Sequence, residues 1–472
     1  MLAALNRLVA PCSRLGFADW RKTTAGGRFT KIGAAVLDHR RFWDAMHAVG
    51  PGELEEISAR VAVRMAAAYD LDISSVALDM TSFATFTGTG NERAPVAQRG
   101  KASQKRSDLR IVGLGLVVTR DGGIPLTWHA CPGDRPDVTQ FATMIGQLAG
   151  QYQAIAAAAG TAAGGDGADM TAVFDARQNS EDNFACHAGT VLRYAGSAPA
   201  SGCPDQTALP ATVQAIVDEG RFGALTACDT RREVYGAGRR AILTRSPELH
   251  DAQEAGFTGT TLAKAGKKPD ELAATLERGK TRRARQKVEA EIAAITRNPR
   301  VRQVVTWQLA GEKPKDLRLT WGIGQAARAA LEEDIFGKHV LITDHDDWPV
   351  AEVIAAYQSQ SEAEFSFRQM KDPRVVSFSP THHWTEHNIR VHAFTRVLAL
   401  QIAHLMRRKA AQAGPGLSVR ELPGQLAAIG ETVLICPSTG GRPKARRMTT
   451  ELSADQRKLY EIFGLDRSAP RS

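Results

Sequence analysis

The chain has 472 residues, 43% of them hydrophobic, which suits a globular protein of about two to four structural units and excludes a disordered one. Its 60 Lys and Arg outnumber 51 Asp and Glu, and the net charge of +9 favours a polyanionic partner, nucleic acid being the commonest. The 6 cysteines are scattered with no Cys-x-x-Cys pair, which argues against a zinc site of the usual spacing and fits a reducing compartment. No apolar run approaches the ~18 to 20 residues that a membrane span needs.

Taken in order, residues 1–70 read as mainly helical, with Leu54–Ala68 free of breakers and apolar at helical spacing. Ser75–Met80 is a short apolar run carrying one acid, a predicted buried strand. Thr85–Arg106 is polar, with Gly88, Gly90 and Gly100, and reads as a loop. Leu109–Thr119 and Ile124–Ala130 are predicted strands joined by a hairpin turn at Asp121-Gly-Gly123. Asp137–Ala159 is a predicted helix with Asp137 as its N-cap, followed by a small-residue linker over Gly160–Gly167. Thr171–Phe174 is a short predicted strand running into Asp175, and a helix is expected from Ser180.

Pro199–Pro210 breaks the pattern, and residues 199–335 read as an insertion. Its predicted strands are Val301–Gln308 and Leu317–Trp321, and its centre holds Arg278, Lys280, Arg282, Arg283, Arg285 and Lys287. Flanking acids leave that basic cluster open to two readings, a DNA contact or a solvated helix face. Beyond it, His339–Thr343 is a predicted strand, Val350–Lys371 a helix ending before Pro373, and Glu386–Arg408 a second amphipathic helix. A tail over 413–472 carries Arg442, Lys444, Arg446 and Arg447.

Two acids stand where an acid is expensive unless used. Asp79 interrupts Val76-Ala-Leu-Asp-Met80, and Asp175 ends Thr171-Ala-Val-Phe-Asp175. Strands apolar on both faces are buried, and a carboxylate there needs a partner; a metal ion is one, and capping a following turn is another. On the Val350–Lys371 helix, Gln360, Glu364 and Lys371 fall within about 60° of Tyr357, whereas Glu362 lies about 140° from it. A stripe of phenol, amide, carboxylate and ammonium is no core stripe; it is either an ion-paired surface or a site. Three converging carboxylates would suit phosphodiester cleavage, because two Mg²⁺ ions activate the attacking oxygen and stabilise the leaving one. His382 and His383 are adjacent in a loop with no further spaced ligand before His387, a poor metal pattern, and Trp384 reads as packing.

The spacing Tyr357-x-x-Gln360-x-x-x-Glu364-x₆-Lys371 resembles the Tyr-Arg-Glu-Lys signature of bacterial insertion-sequence transposases of the Asp-Asp-Glu superfamily. Gln360 stands where the family has Arg; it can reach a phosphate but brings no charge. The blocks Arg99-Gly-Lys-Ala-Ser-Gln-Lys-Arg-Ser-Asp-Leu-Arg110, Gly123-Ile-Pro-Leu126 and Pro132-Gly-Asp-Arg-Pro-Asp137 resemble family segments in the same order. Val173-Phe-Asp-Ala-Arg177 resembles the segment around the second acid, with Arg177 near a position often held by Gly.

The resemblance implies an α/β fold: a ribonuclease-H-like core, a mixed sheet flanked by helices, interrupted by an insertion. On this expectation 1–70 is an N-terminal helical region, 71–198 and 336–412 are the two parts of the core, 199–335 is the insertion and 413–472 a tail domain. Asp79, Asp175 and Glu364 would be catalytic and hold two Mg²⁺ ions, with Mn²⁺ as a substitute. Tyr357, Gln360, Lys371, Lys101, Lys105 and Arg106 would contact DNA. The implied activity is cleavage at element ends and transfer into target double-stranded DNA by a homodimer, in the cytoplasm at the nucleoid, with no membrane association. Three readings stay open beside it: an inactive remnant that binds DNA, another two-metal nuclease on the same core, and a non-enzymatic DNA-binding protein.

Overall fold

The computed structural model describes residues 1–24, 26–33, 36–100, 106–158, 170–278, 283–436 and 444–468. The protein is mixed α/β and divides into two compact units, Met1–Ala195 with Ala355–Ser472, and Gly196–Ile354. No described helix is long and apolar enough to cross a membrane.

The first unit opens with short helices, among them Leu2–Val9 and His39–His47, and then Pro51–Tyr69. The last begins at a proline, whose missing N–H costs nothing in a first turn. The Glu53 carboxylate reaches back to accept from the Gly50 N–H at 2.8 Å. Leu54, Ser58, Ala62 and Met65 or Ala66 recur every turn and are buried. Ser58 accepts a hydrogen bond from the Trp128 indole at 3.0 Å, which fixes this helix against the sheet.

Strands β1 (Ser75–Thr85), β2 (Arg110–Thr119) and β3 (Pro125–Pro132) form an antiparallel meander. β4 (Thr171–Phe174) pairs with β1 in parallel, and with β5 (Arg193–Ala198) the order in this unit is β3-β2-β1-β4-β5. The first strand runs on to Thr85 rather than ending at Met80, because β2 pairs with it residue by residue from Thr119 to Arg110. The β2–β3 turn uses Gly122 and Gly123 at φ of 125° and 65°, conformations that glycine adopts without a Cβ penalty.

The helix expected over Val350–Lys371 is two, Val350–Gln358 and Gln360–Lys371, parted at Ser359. The Ser359 hydroxyl donates to the Ala356 carbonyl at 2.6 Å, a local bond that competes with the helix ladder. The second piece stops at Asp372, whose extended backbone (ψ of 119°) is the conformation Pro373 imposes on the residue before it. The long helix Glu386–Gln412 follows, and the Thr385 side chain caps it by accepting from the Asn388 N–H.

These two helices clamp the β2–β3 turn. The Gly123 carbonyl accepts from the Ser366 hydroxyl at 3.0 Å and bonds the His404 ring at 2.7 Å, and Arg408 pairs with Asp121 at 2.7 Å. Between them lies the core, where Phe83, Leu114, Leu116 and Val118 meet Phe367, Met370, Phe378 and Leu400. Past Gln412 come the helices Glu421–Ala427 and Ala454–Ile462 and the hairpin Glu431–Cys436 with Lys444–Thr449.

In the second unit β6 (Ala215–Ile216), β7 (Thr226–Val234), β8 (Ala237–Arg245), β9 (Val305–Ala310), β10 (Arg318–Ile323) and β11 (Lys338–Thr343) build two antiparallel arrays. One has the order β11-β8-β7-β6; the other is the β9–β10 hairpin. The run expected as a strand over Val301–Gln308 is a helix, Pro299–Val304, before β9 begins. Asn298 starts it, its side chain accepting from the Arg300 N–H at 2.9 Å, with Pro299 in the first position. Of the basic cluster, Arg283 pairs with Glu291, and Arg285 pairs with Glu289 at 2.9 Å while also bonding the Gly311 and Leu309 carbonyls. Lys280 and Arg282 lie outside the described residues, as does Arg442 in the tail.

Candidate active site

The site starts from strand register. Leu78 and Phe174 are partners in the parallel β1–β4 pair; the next residue along β1 is Asp79, and the residue just past the end of β4 is Asp175. In a parallel pair, residues level with one another project to the same face. Here β4 ends while β1 runs on to Thr85, so the parallel ladder stops with Asp175 at the carboxyl end of β4 and Asp79 beside it within β1. That is where open α/β sheets receive ligands.

Asp79 is half-buried. Burial pushes its carboxyl up to about 7 from the ordinary 3.8; a hydrogen bond from the Met80 N–H opposes this, and the negative charges of Asp175, Asp137 and Glu364 add to the rise. The two predicted partners thus lie within electrostatic reach of Asp79, together with a fourth acid. Asp175 also does a local job: its Oδ1 accepts from the Ala176 N–H at 2.6 Å, capping a turn over Ala176–Gln178, and Arg177 approaches its other oxygen at 3.8 Å.

The sequence assigned Asp137 to a helix N-cap. It instead opens a short turn, Asp137–Thr139, and the helix proper is Phe141–Ala158. No side-chain cap forms there. Burial raises the Asp137 carboxyl; Arg177 lowers it and Asp175 raises it. The signal was present at the end of Pro132-Gly-Asp-Arg-Pro-Asp137, where a family-like segment closes on an acid.

Glu364 is exposed on the helix Gln360–Lys371, and that helix is tied to β1 on both sides of it. One turn before, the Gln360 amide donates to the Leu78 carbonyl at 3.0 Å. Two turns after, the Lys371 ammonium donates to the Thr81 hydroxyl at 2.7 Å. Leu78 and Thr81 bracket Asp79 on the strand, so both ties hold the Glu364 face toward it. Burial lowers the Lys371 ammonium, and the charge of Asp79 opposes that.

Gln360 is only 9% exposed, and its Oε1 is buried without a partner. In this arrangement it faces the strand and not a solvent-borne phosphate. Tyr357 is half-buried one turn earlier. Arg106 is exposed and forks onto Asp108 at 2.6 and 2.8 Å, whereas Lys101 and Lys105 lie outside the described residues.

A donor set made wholly of carboxylate oxygens fits a hard divalent cation such as Mg²⁺ and no thiolate-seeking metal. Among the described residues, no three His, Cys, Asp or Glu side chains are gathered tightly enough to form a ready-made metal cluster. The acids therefore fit the ion in kind, with like charges facing one another across the end of the strands. His382 stacks on Phe86 at 4.7 Å and His383 is buried against His392, so neither joins the carboxylates. The chain matches no model of a known protein family and no curated protein sequence.

Proposed function

We propose that the chain is a DNA strand-cutting and strand-joining enzyme, a transposase of the Asp-Asp-Glu type on a ribonuclease-H-like core. The observation that carries this reading is that Asp79 and Asp175 each directly follow the register pair Leu78–Phe174, with Asp175, Asp137 and Glu364 close enough to raise the Asp79 carboxyl. The core assignment is supported by an antiparallel β1–β2–β3 meander whose first strand bears one acid beside a parallel strand that ends at the next.

Asp79, Asp175 and Glu364 would hold two Mg²⁺ ions, or Mn²⁺ in their place. When bound, such ions would activate the attacking oxygen and neutralise charge on the phosphate. The chain's own residues supply position. Gln360 locks the Glu364 helix to the Leu78 carbonyl, and Lys371 crosses to Thr81 at the mouth of the acid group, where an ammonium can meet a phosphate oxygen. Arg177, 82% exposed beside Asp175, is a second cation at that edge. Tyr357, Lys101, Lys105 and Arg106 are further candidates for the DNA backbone. The partners on this reading are double-stranded element ends and target DNA, held by a homodimer.

The reading is tested by incubating the purified chain with Mg²⁺ or Mn²⁺, a labelled duplex carrying the ends of its own element, and a supercoiled target plasmid. Cleavage at the end junction and a joined product in the plasmid are expected. Metal-dependent cutting with no end preference and no joined product would instead favour a general nuclease on the same core.

A further inference from the structure

A second feature of the first unit has no part in the carboxylate site. The helices Leu2–Val9, His39–His47 and Glu386–Gln412 and the segment Pro380–His383 enclose a cavity of about 480 Å³. Three guanidinium groups line it, from Arg7, Arg14 and Arg396, and among the described residues no Asp or Glu does.

Arg396 is the anchor. It is only 8% exposed, and its Nε is buried with no hydrogen-bond partner. A guanidinium is always charged and is almost never buried unless paired, so a lone one facing a cavity is a donor waiting for an anion. Arg7 and Arg14 add to the deficit: burial pulls the Arg396 guanidinium well below its ordinary value, and their positive charges pull the same way. Arg14 is held in place by its neighbours, Nη2 meeting the His383 ring at 3.0 Å and Cζ lying 3.9 Å from the centre of the Trp43 ring.

The histidines beside these groups add no charge of their own. Burial holds the His383 ring down to about 3 and His392 well below its usual range, so both are neutral at physiological pH. The opposite wall is apolar and aromatic, from Phe17, Phe42 and Trp43. The volume lies in the range that holds a small organic ligand.

We infer that this cavity binds a phosphate group carried on a body of about mononucleotide size, with Arg396 at its base and Arg14 and Arg7 at its sides. Three guanidiniums match the several acceptor oxygens and negative charge of a phosphate better than they match a single carboxylate. The group has two possible sources, a free phosphomonoester or the phosphate of a nucleic-acid strand, and the site stands whether or not the carboxylates cut DNA.

The test is calorimetric titration of the full chain with a deoxynucleoside 5′-monophosphate, the matching deoxynucleoside, inorganic phosphate and a short DNA duplex. The monophosphate is expected to bind at least about tenfold more tightly than the deoxynucleoside. Arg396→Met, which keeps the apolar stem, should weaken it roughly 10- to 100-fold, the scale of losing charged hydrogen bonds. Arg14→Gln should weaken it in the same direction, and Arg7→Gln, on a half-buried residue, serves if Arg396→Met fails to fold. If the duplex displaces the monophosphate, the source is a strand; if it does not, the ligand is a small molecule. No binding of any phosphate probe, or unchanged binding by the folded variants, overturns the inference.

Discussion

Replacing Asp79 by Asn should stabilise the protein, and by an amount that depends on pH. Its carboxyl stands at about 7 against an ordinary 3.8. A rise of about 3 pH units at about 1.4 kcal/mol each corresponds to about 4 kcal/mol. The folded carboxyl titrates above the unfolded one, so its contribution is fully present below pH 3.8 and is lost as pH climbs through about 7. Asp79 keeps some contact with water, which trims the effect to about 2 to 4 kcal/mol, or roughly 4 to 8 °C in melting temperature for a large domain. Asn has the shape of the protonated acid and does not ionise. The Asp79→Asn advantage should therefore be small near pH 4, grow through pH 5 and 6, and level off above about pH 7. Millimolar Mg²⁺ should narrow the gap at pH 8 by stabilising the wild type alone. Thermal unfolding of both proteins across this range is the assay. A variant equal to or weaker than the wild type at pH 8, with no trend in pH, would refute the account of a buried carboxyl crowded by other acids.

Other outcomes follow from the same geometry. Gln360→Arg, which puts a cation at that position, should lower stability by about 1 to 3 kcal/mol and weaken cleavage. A charged fork would replace an amide that is buried and bonded to the Leu78 carbonyl, and denaturant unfolding with a cleavage assay checks both effects. Phe83 is fully buried and stacks on Phe378 with ring centres 4.2 Å apart, so Phe83→Ala should cost about 3 to 5 kcal/mol in urea unfolding. Arg106→Ala removes an exposed, solvent-screened pair with Asp108 and should leave the urea unfolding midpoint unchanged. If that loop tracks DNA, the same change should reduce the slope of log affinity against log salt by about one.

Much of the scaffold was legible because local pattern and tertiary fate agree. Ile111–Thr119 is apolar and rich in β-branched residues, and it becomes a central strand covered on both faces. The Asp121-Gly-Gly123 turn was readable because only glycine suits two successive positive φ values there. Where a local bond competes with a periodic pattern, the sequence misled: Asn298-Pro299 starts a helix inside a β-branched run, and the Ser359 hydroxyl breaks a helix that looked continuous.

At the site, acids at the ends of apolar strands could be picked out, but their mutual register could not, since Asp79 and Asp175 are joined only through the β1–β4 pairing. Gln360 shows a different limit. A helical wheel gives direction around the axis and not distance to the next element, so a residue on the correct stripe can be buried against a strand. From sequence Asp137 resembles a helix cap, because Asp is among the strongest N-cap residues. The arginine cavity left no sequence trace at all, its cations lying at opposite ends of the chain.

The most direct measurement is metal-dependent cleavage of end-bearing DNA by the wild type and by Glu364→Gln, with DNA binding measured in parallel. Glu364 is exposed on a helix held by other residues, so the exchange keeps fold and shape and removes one charge. The account predicts that both proteins bind DNA and only the wild type cuts it, with Mg²⁺ or Mn²⁺ required. Equal cutting by Glu364→Gln would contradict the assignment of the third carboxylate, and with it the Asp-Asp-Glu mechanism.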